Sequence, residues 1–208
     1  MTAETSRIEA FSDGVFAIAI TLLILNIKIP PAGSGNLYVE LVGQWPSYCS
    51  FLVSFAFIGI MWINHHRLFT HIARSDDVLM ILNLLLGVVV VPFPTAVLAM
   101  HWGQSGQRTA LILYNSTYVF IAMIFNLLWR HASSAKGHLL ARDVDAASVQ
   151  SITKQYALGP VCYLICLGLS WVSAAASLAL NLALACFFAL PPHVVASRRK
   201  EPHAFTSR

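Results

Sequence analysis

Residues 7–29 read RIEAFSDGVFAIAITLLILNIKI, and Pro30-Pro31 follow directly. After Asp13, residues 14–25 contain a single polar side chain, that of Thr21. Apolar runs of about 18 or more residues indicate membrane-spanning helices. We therefore predict a first membrane helix over residues 7–29. Asp13 lies about one turn inside it, and an ionisable residue within a span is a functional candidate.

The composition of the whole chain is that of a membrane protein. The 208 residues are 57% hydrophobic and 11% charged, whereas soluble domains carry roughly 25% charged residues. These values exclude a soluble globular enzyme, a disordered protein and a secreted disulfide scaffold. The net charge of +4 does not indicate nucleic-acid binding, because the basic residues lie between apolar runs in the pattern of membrane topology.

Five further apolar runs predict an all-α membrane protein with six transmembrane helices. The predicted spans are 7–29, 45–69, 78–100, 109–129, 156–173 and 177–195. They form one transmembrane domain over residues 1–196, followed by a short basic tail at 197–208. Small residues at 173–177 predict the last turn, while Pro92 and Pro94 predict a kink or break in the third span.

The distribution of lysine and arginine predicts the orientation in the membrane. With the N-terminus in the cytoplasm, eleven of these residues fall on the inner side and two, Lys28 and Arg108, on the outer side. Positive residues concentrate in the cytoplasmic loops of membrane proteins. We therefore expect both termini in the cytoplasm.

A stripe of aliphatic side chains runs along the first predicted helix. Ile18, Leu22 and Leu25 follow the i, i+4, i+7 spacing of one helix face, and Thr21 lies beside them. By itself, such a stripe is typical of contact with other helices or with lipid. Asp13 also has two interpretations: it anchors the helix end at the interface, or it pairs with buried partners from other helices.

Polar residues occur at the end of the second predicted helix and inside the third. They are Asn64, His65, His66 and Asn83. A histidine pair suggests a metal site, but neighbouring helical residues point about 100° apart and no HExxH motif is present. We predict no metal and no cofactor. Hydrogen bonding of the histidines to Ser12, Asp13 or Asn83 is the favoured interpretation.

These motifs together resemble one known family. The first helix resembles the signature of the transmembrane protein 175 potassium channels, with motif residues Arg7, Phe11, Ser12 and Asp13. The resemblance extends into the second and third helices, at Trp62, residues 64–69, Asn83 and residues 92–95.

The resemblance implies a passive potassium-selective channel in a bacterial cell membrane. It implies a homotetramer of single six-helix repeats, with the first helices lining a central pore. Ile18 would form the narrowest ring, Leu22 and Leu25 further apolar rings, and Thr21 a layer implicated in potassium selectivity. The partners are then the lipid bilayer, permeant potassium ions and further copies of this chain.

The same resemblance implies that the motif residues hold the first helix in place. Arg7, Ser12 and Asp13 would tie it to His65, His66 or Asn83, in a structural or gating role. Two alternatives remain. A secondary transporter, proton-linked through Asp13 and His65, would be expected to carry inverted repeats and broken helices. A membrane enzyme with a histidine site would need more metal ligands than are present.

Overall fold

The computed structural model describes residues 3–33, 35–89, 93–134, 139–142 and 144–189, and most of them are helical. The helices are α1 (Ser6–Leu22), α2 (Leu37–Gly43), α3 (Trp45–Phe69), α4 (Asp77–Val89), α5 (Phe93–Met100), α6 (Gln107–Ala132), α7 (Ala146–Leu169) and α8 (Ala174–Ala189). A 3₁₀ turn, Leu23–Asn26, extends α1. Two short strands, β1 (Ala3–Glu4) and β2 (Arg74–Ser75), pair antiparallel.

Five segments are long and apolar enough to cross a membrane, and they match the first five predicted spans; the third includes residues 90–92, which lie outside the described residues. They are Ser6–Leu25, Ser47–Phe69, Asp77–Met100, Gln107–Ala132 and Ala146–Leu169. The sixth predicted span coincides with α8, which has 16 residues. At 1.5 Å per residue α8 is about 24 Å long, shorter than the roughly 30 Å hydrocarbon core. Residues 190–195 and the tail at 197–208 lie outside the described residues, so the sixth crossing stays a prediction.

Two helices begin earlier than the sequence predicted. α7 begins at Ala146, because the Asp145 carboxylate accepts a hydrogen bond from the Ser148 amide at 3.1 Å and caps the helix. The hydrogen bonds from Ser148 hold the pKa of this exposed carboxyl below its ordinary value. α8 begins at Ala174, inside the predicted turn, because Ser173 Oγ accepts the Ala176 amide at 3.2 Å.

The predicted proline break in the third span is described in part. Pro92 lies outside the described residues, and α4 and α5 lie on either side of it. Pro94 occupies the second position of α5. A proline is tolerated in the first turn of a helix, where the missing N–H has no intrahelical partner.

The connection between α1 and α3 contains a helix that the sequence did not predict. Gly33 and Gly35 take positive φ angles of 85° and 122° and turn the chain. Asn36 then accepts a hydrogen bond from the Tyr38 amide at 3.0 Å, which caps α2.

The core of the chain is built around α6. This helix packs against α4, α5 and α7, and the ring of Tyr118 lies between those of Phe57 and Tyr163, at centroid distances of 5.1 and 5.5 Å. Trp129 is fully buried and donates its indole N–H to Thr153 at 2.8 Å. α1 lies against α3 and α4, so one face of α1 is left free of the core.

Three segments distant in sequence meet where α1 begins. β1 pairs with β2, with Ala3 opposite Ser75 and Glu4 opposite Arg74. On the stretch just before β2, Ile72 forms an antiparallel bridge with Leu140. We call this contact of residues 3–5, 71–75 and 139–141 the N-terminal anchor.

Candidate functional site

The two faces of α1 and its 3₁₀ extension have opposite surroundings. One face is buried against α3 and α4 and carries Ser12, Phe16, Ala19 and Leu23. The predicted stripe lies on the other face, with Ile18 59%, Leu22 51% and Leu25 74% exposed. Thr21 is exposed beside them. The chain therefore presents an apolar surface that has no partner among its described residues.

Thr21 is the one polar side chain in this stripe, and the hydrogen of its hydroxyl is already used in a hydrogen bond. Its Oγ1 donates a hydrogen bond to the backbone carbonyl of Ile18 at 3.0 Å. A hydroxyl has one hydrogen to donate and two lone pairs. Because the hydrogen is used within the helix, the lone pairs of Thr21 Oγ1 are left to accept from water or to coordinate a cation.

A buried hydrogen-bond network joins the back of α1 to α3 and α4. Ser12 Oγ accepts from Asn83 Nδ2 at 2.9 Å and lies 3.2 Å from Asn83 Oδ1, to which it donates. His65 Nε2 lies 2.8 Å from the same Oδ1. All three side chains are buried. Because an amide oxygen only accepts, His65 must carry its proton on Nε2 in this arrangement.

Aromatic rings enclose His65 on both sides. The ring of Phe69 stacks on it at a centroid distance of 4.5 Å, and the ring of Phe16 meets it edge-on at 5.5 Å. Phe16 belongs to α1 and Phe69 to α3. The imidazole therefore joins α3 to α4 through its hydrogen bond with Asn83 and to α1 through its edge contact with Phe16.

Asp13 is placed apart from this network. Its Oδ1 accepts a hydrogen bond from the indole N–H of Trp62 at 2.8 Å, in an exposed position. The ring of His66 stacks on Trp62 at a centroid distance of 6.2 Å. The neighbour of Asp13, Ser12, therefore makes the link to His65 and Asn83, and the carboxylate bonds to tryptophan instead.

The remaining motif residues lie outside the buried network. Arg7 and Phe11 are exposed. The side chain of Asn64 donates to the Ile60 carbonyl of its own helix at 3.0 Å, while its backbone carbonyl accepts from Tyr156 at 3.4 Å. The structure brings Ser12, His65 and Asn83 together and leaves these three residues outside the network.

Sequence reasoning missed a second buried polar cluster, which joins α6, α7 and α8. Asn115 Nδ2 donates to Ser170 Oγ at 2.7 Å and to Ser177 Oγ at 2.9 Å. Asn181 Nδ2 donates to Asn115 Oδ1 at 2.8 Å, and Asn181 Oδ1 has no hydrogen-bond partner among the residues that the structure describes. Asn181 and Ser177 are isolated polar side chains in an apolar run, which was the available signal.

Among the residues that the structure describes, no group of three or more histidine, cysteine, aspartate or glutamate side chains is arranged to hold a metal ion. The histidines at 65 and 66 instead point to different neighbours, Asn83 and Trp62.

Comparison with known proteins gives consistent matches. A family model described as the endosomal/lysosomal potassium channel TMEM175 matches residues 7–94. A potassium channel of Chamaesiphon minutus is 48% identical over 193 residues, which cover 90% of this chain and 95% of that protein. The chain belongs to the TMEM175 family. The family predicted from the motifs of the first three helices is therefore confirmed.

Two further comparisons agree with this family. A potassium channel of Streptomyces collinus is 47% identical over 189 residues, covering 89% of this chain and 91% of that protein. The crystal structure of a homologue of the lysosomal potassium-selective channel TMEM175, from Chamaesiphon minutus, superposes with a TM-score of 0.78 at 44% identity. It covers 90% of this chain and 97% of that one. The TMEM175 family is a family of channels and not of enzymes, and this member is a multi-pass membrane protein.

Proposed function

We propose that this protein is a potassium-selective channel in the cell membrane, through which ions flow passively. The relatives that match nearly its whole length are named potassium channels. The main structural support is the exposed stripe of Ile18, Leu22 and Leu25, with Thr21 beside it. In this proposal the stripe is the pore surface.

The pore requires several copies of the chain. A single α1 cannot surround an ion path, and closed cyclic symmetry would bring four identical stripes around one axis. The buried face of α1, with Ser12 and Phe16 against α3 and α4, supports this assignment because it leaves the stripe for that axis. We propose a homotetramer with Ile18 at its narrowest ring and apolar rings of Leu22 and Leu25 beyond it.

The chemistry of the stripe accounts for gating and selectivity. A constriction of aliphatic side chains closes by dewetting. When it opens, an ion passes with part of its hydration removed, and potassium loses water at a lower cost than sodium. Thr21 oxygens, whose lone pairs remain free, would replace part of that hydration. The permeant ion is potassium, and no cofactor is needed for this passage.

The buried network behind the stripe has a supporting role in this proposal. Ser12, His65 and Asn83 hold the back of α1 to α3 and α4, so the pore surface is fixed from behind. Arg7, Phe11 and Asp13 lie at the same end of the helix, where Asp13 bonds to Trp62.

The orientation follows from charge. We propose six crossings, with α8 as the sixth, and both termini in the cytoplasm. The excess of lysine and arginine on one side supports this orientation. The pore helix would then begin at the cytoplasmic side, near Arg7, and run outward past Ile18 to Leu25.

The experiment is ion flux from liposomes that contain the purified full-length chain. We expect faster flux under a potassium gradient than under an equal sodium gradient. Ile18→Asn should change both the flux and the ratio of potassium to sodium flux. Ile81→Asn is the matched control, because Ile81 on α4 is an isoleucine of the same 59% exposure that lies outside the proposed pore.

Two results would contradict the proposal. Equal effects of Ile18→Asn and Ile81→Asn would show that the stripe of α1 does not line the ion path. Slow, saturable flux that requires a proton gradient would instead identify a transporter. In the transporter alternative, protons would pass through Asp13 and His65, which in this structure bond to different residues, Trp62 and Asn83.

A further inference from the structure

The N-terminal anchor connects the start of α1 to the segment between α6 and α7. The amides of Ala73 and Arg74 donate to the Leu139 carbonyl at 2.8 and 3.1 Å, and the Ala141 amide donates to the His71 carbonyl at 3.0 Å. The side chains of Ile72 and Leu139 are 2% and 0% exposed. Residues 139–141 are therefore packed on the loop between α3 and α4 by both backbone and side chains.

The same loop holds the first residues of the chain. β2 pairs with β1 directly before α1, and Thr5, the residue that precedes α1, donates its hydroxyl to the Ile72 carbonyl at 3.4 Å. Thr5 is buried. The path from Leu139 to α1 is therefore a continuous series of short contacts, through Ile72 to Thr5.

A side-chain bond holds the loop at its other end. His131 Nε2, in the last turn of α6, lies 2.8 and 2.9 Å from the two carboxylate oxygens of Asp76. Asp76 directly precedes α4 and also accepts the Leu79 amide at 2.8 Å. The loop is thus fixed to α6 by Asp76 and to the segment after α6 by Ile72.

We infer that residues 139–141 are positioning residues for the pore helix: they set where α1 begins, through Ile72 and Thr5, without touching the ion path. This inference rests on the proposed function, in which α1 lines the pore. A closely packed protein interior has low compressibility, so a shift of one residue displaces the residues in contact with it. Loosening residues 139–141 should therefore change how often the pore is open, and should leave the conducting surface of Ile18 and Thr21 as it was.

The first test is Ala141→Pro, which removes the amide that bonds His71. Ala146→Pro is the matched control, since Ala146 is the first residue of α7, where proline is tolerated. In single-channel recordings from the reconstituted full-length chain, Ala141→Pro should change the open probability by roughly two- to thirtyfold, the usual range for altered coupling. Unitary conductance and the potassium-to-sodium permeability ratio should stay at their original values.

The second test uses a disulfide that can be formed and broken in a single variant. The hydrogen bonds from Ala73 to Leu139 and from Ala141 to His71 flank Ile72 and Leu140 and make them a non-hydrogen-bonded antiparallel pair. The Cα atoms of such pairs are about 4.5 Å apart, within the range for a disulfide. Adding Ile72→Cys and Leu140→Cys to Ala141→Pro should restore the open probability on oxidation and lose it again on reduction. Oxidised Ala141→Pro alone controls for the native cysteines.

The outcomes separate this inference from the proposed function. If Ala141→Pro leaves the open probability unchanged, or if oxidation of the cysteine pair does not restore it, the inference is wrong. If Ala141→Pro changes unitary conductance or selectivity, the segment acts on the ion path itself and the inference is equally wrong. Failure of Ile18→Asn to alter flux would overturn the pore assignment instead. If Ala141→Pro alone does not assemble, the oxidised cysteine variant is reconstituted first and then reduced.

Discussion

His65 on α3 and Asn83 on α4 share a hydrogen bond of 2.8 Å, and the same amide of Asn83 bonds Ser12 on α1. One asparagine thus joins three helices through side chains that are all buried. A polar group left unpaired inside a membrane protein is costly, because lipid supplies no replacement partner. The network therefore determines the rotation of α1 against α3 and α4, and it also contributes to the stability of their contact.

Substitution of Asn83 should destabilise the protein more than substitution of another asparagine nearby. Asn83→Leu leaves the Nε2–H of His65 without an acceptor, which costs about 1–3 kcal/mol. Asn64→Leu is the control, because among the described residues the Asn64 side chain hydrogen-bonds only within its own helix, and we expect about 0.5 kcal/mol or less. The measurement is the free energy of unfolding in detergent micelles. Equal losses would show that the network adds nothing.

The cluster of α6, α7 and α8 should behave as a coupled unit. Either Asn115→Leu or Asn181→Leu alone leaves the remaining asparagine without its amide partner. The double substitution removes both amides, so neither is left unpaired by loss of the other. We expect the double variant to lose less stability than the sum of the two singles, by about 0.5–3 kcal/mol. A double-mutant cycle on unfolding free energies measures this difference. Additive losses would mean that the 2.8 Å bond between the two amides is energetically unimportant.

The bond between Asp76 and His131 should stabilise the fold in a pH-dependent way. Partial burial acts to raise the pKa of Asp76, but hydrogen bonds from Leu79 and His131 and the charge of His131 outweigh it, so its pKa is lowered. A carboxyl with a lowered folded-state pKa stabilises fully above its unfolded value of about 4, and this stabilisation is lost as the pH falls through the folded value.

Asp76→Asn tests this pH dependence. The substitution keeps an acceptor for the Leu79 amide but removes the charge. Both partners are partly exposed, so the loss at neutral pH should be only about 0.5 kcal/mol. Unfolding of the original protein and of Asp76→Asn is followed from about pH 7 to about pH 3, and their stabilities should converge at the acidic end. A constant difference across that range would rule out the ionised carboxylate as its source.

Thr21 should affect ion selectivity, and the chain offers a close control. Thr21→Val removes the oxygen from the stripe while keeping the side-chain shape, so the potassium-to-sodium permeability ratio should fall severalfold. Thr21→Ser should retain it. Thr117 on α6 is half-buried and also donates to a carbonyl of its own helix at 3.0 Å, so Thr117→Val should leave the ratio unchanged. Bi-ionic reversal potentials give these ratios, and equal shifts for both valine variants would exclude a role for Thr21.

Much of this architecture was predictable because membrane helices leave strong local signals. The apolar runs predicted the five candidate spans, and the motif around Ser12 and Asp13 predicted the family. The spacing of Ile18, Leu22 and Leu25 predicted a common face, which the exposed fractions of these side chains match.

The remainder depended on tertiary contacts, which have no local signal. Whether Ser12 or Asp13 reaches Asn83 is decided by how α1 rotates against α4, and neighbouring positions differ by about 100°. The bridge between Ile72 and Leu140 joins residues far apart in sequence and involves backbone groups that every residue carries. The early start of α7 came from a single cap, Asp145, in a stretch whose polarity suggested a loop.

The 3₁₀ turn at Leu23–Asn26 gives the far end of α1 a different pitch from the rest of the helix. A 3₁₀ turn rises about 2.0 Å per residue against 1.5 Å in an α-helix, with 3.0 rather than 3.6 residues per turn. Rewinding these four residues into α-helix would shorten the segment by about 2 Å and rotate its end by roughly 80°. Leu25 lies on this segment, whereas Ile18 and Leu22 lie on the regular helix. In the proposed pore, such rewinding would turn Leu25 about the helix axis and leave Ile18 and Leu22 in place.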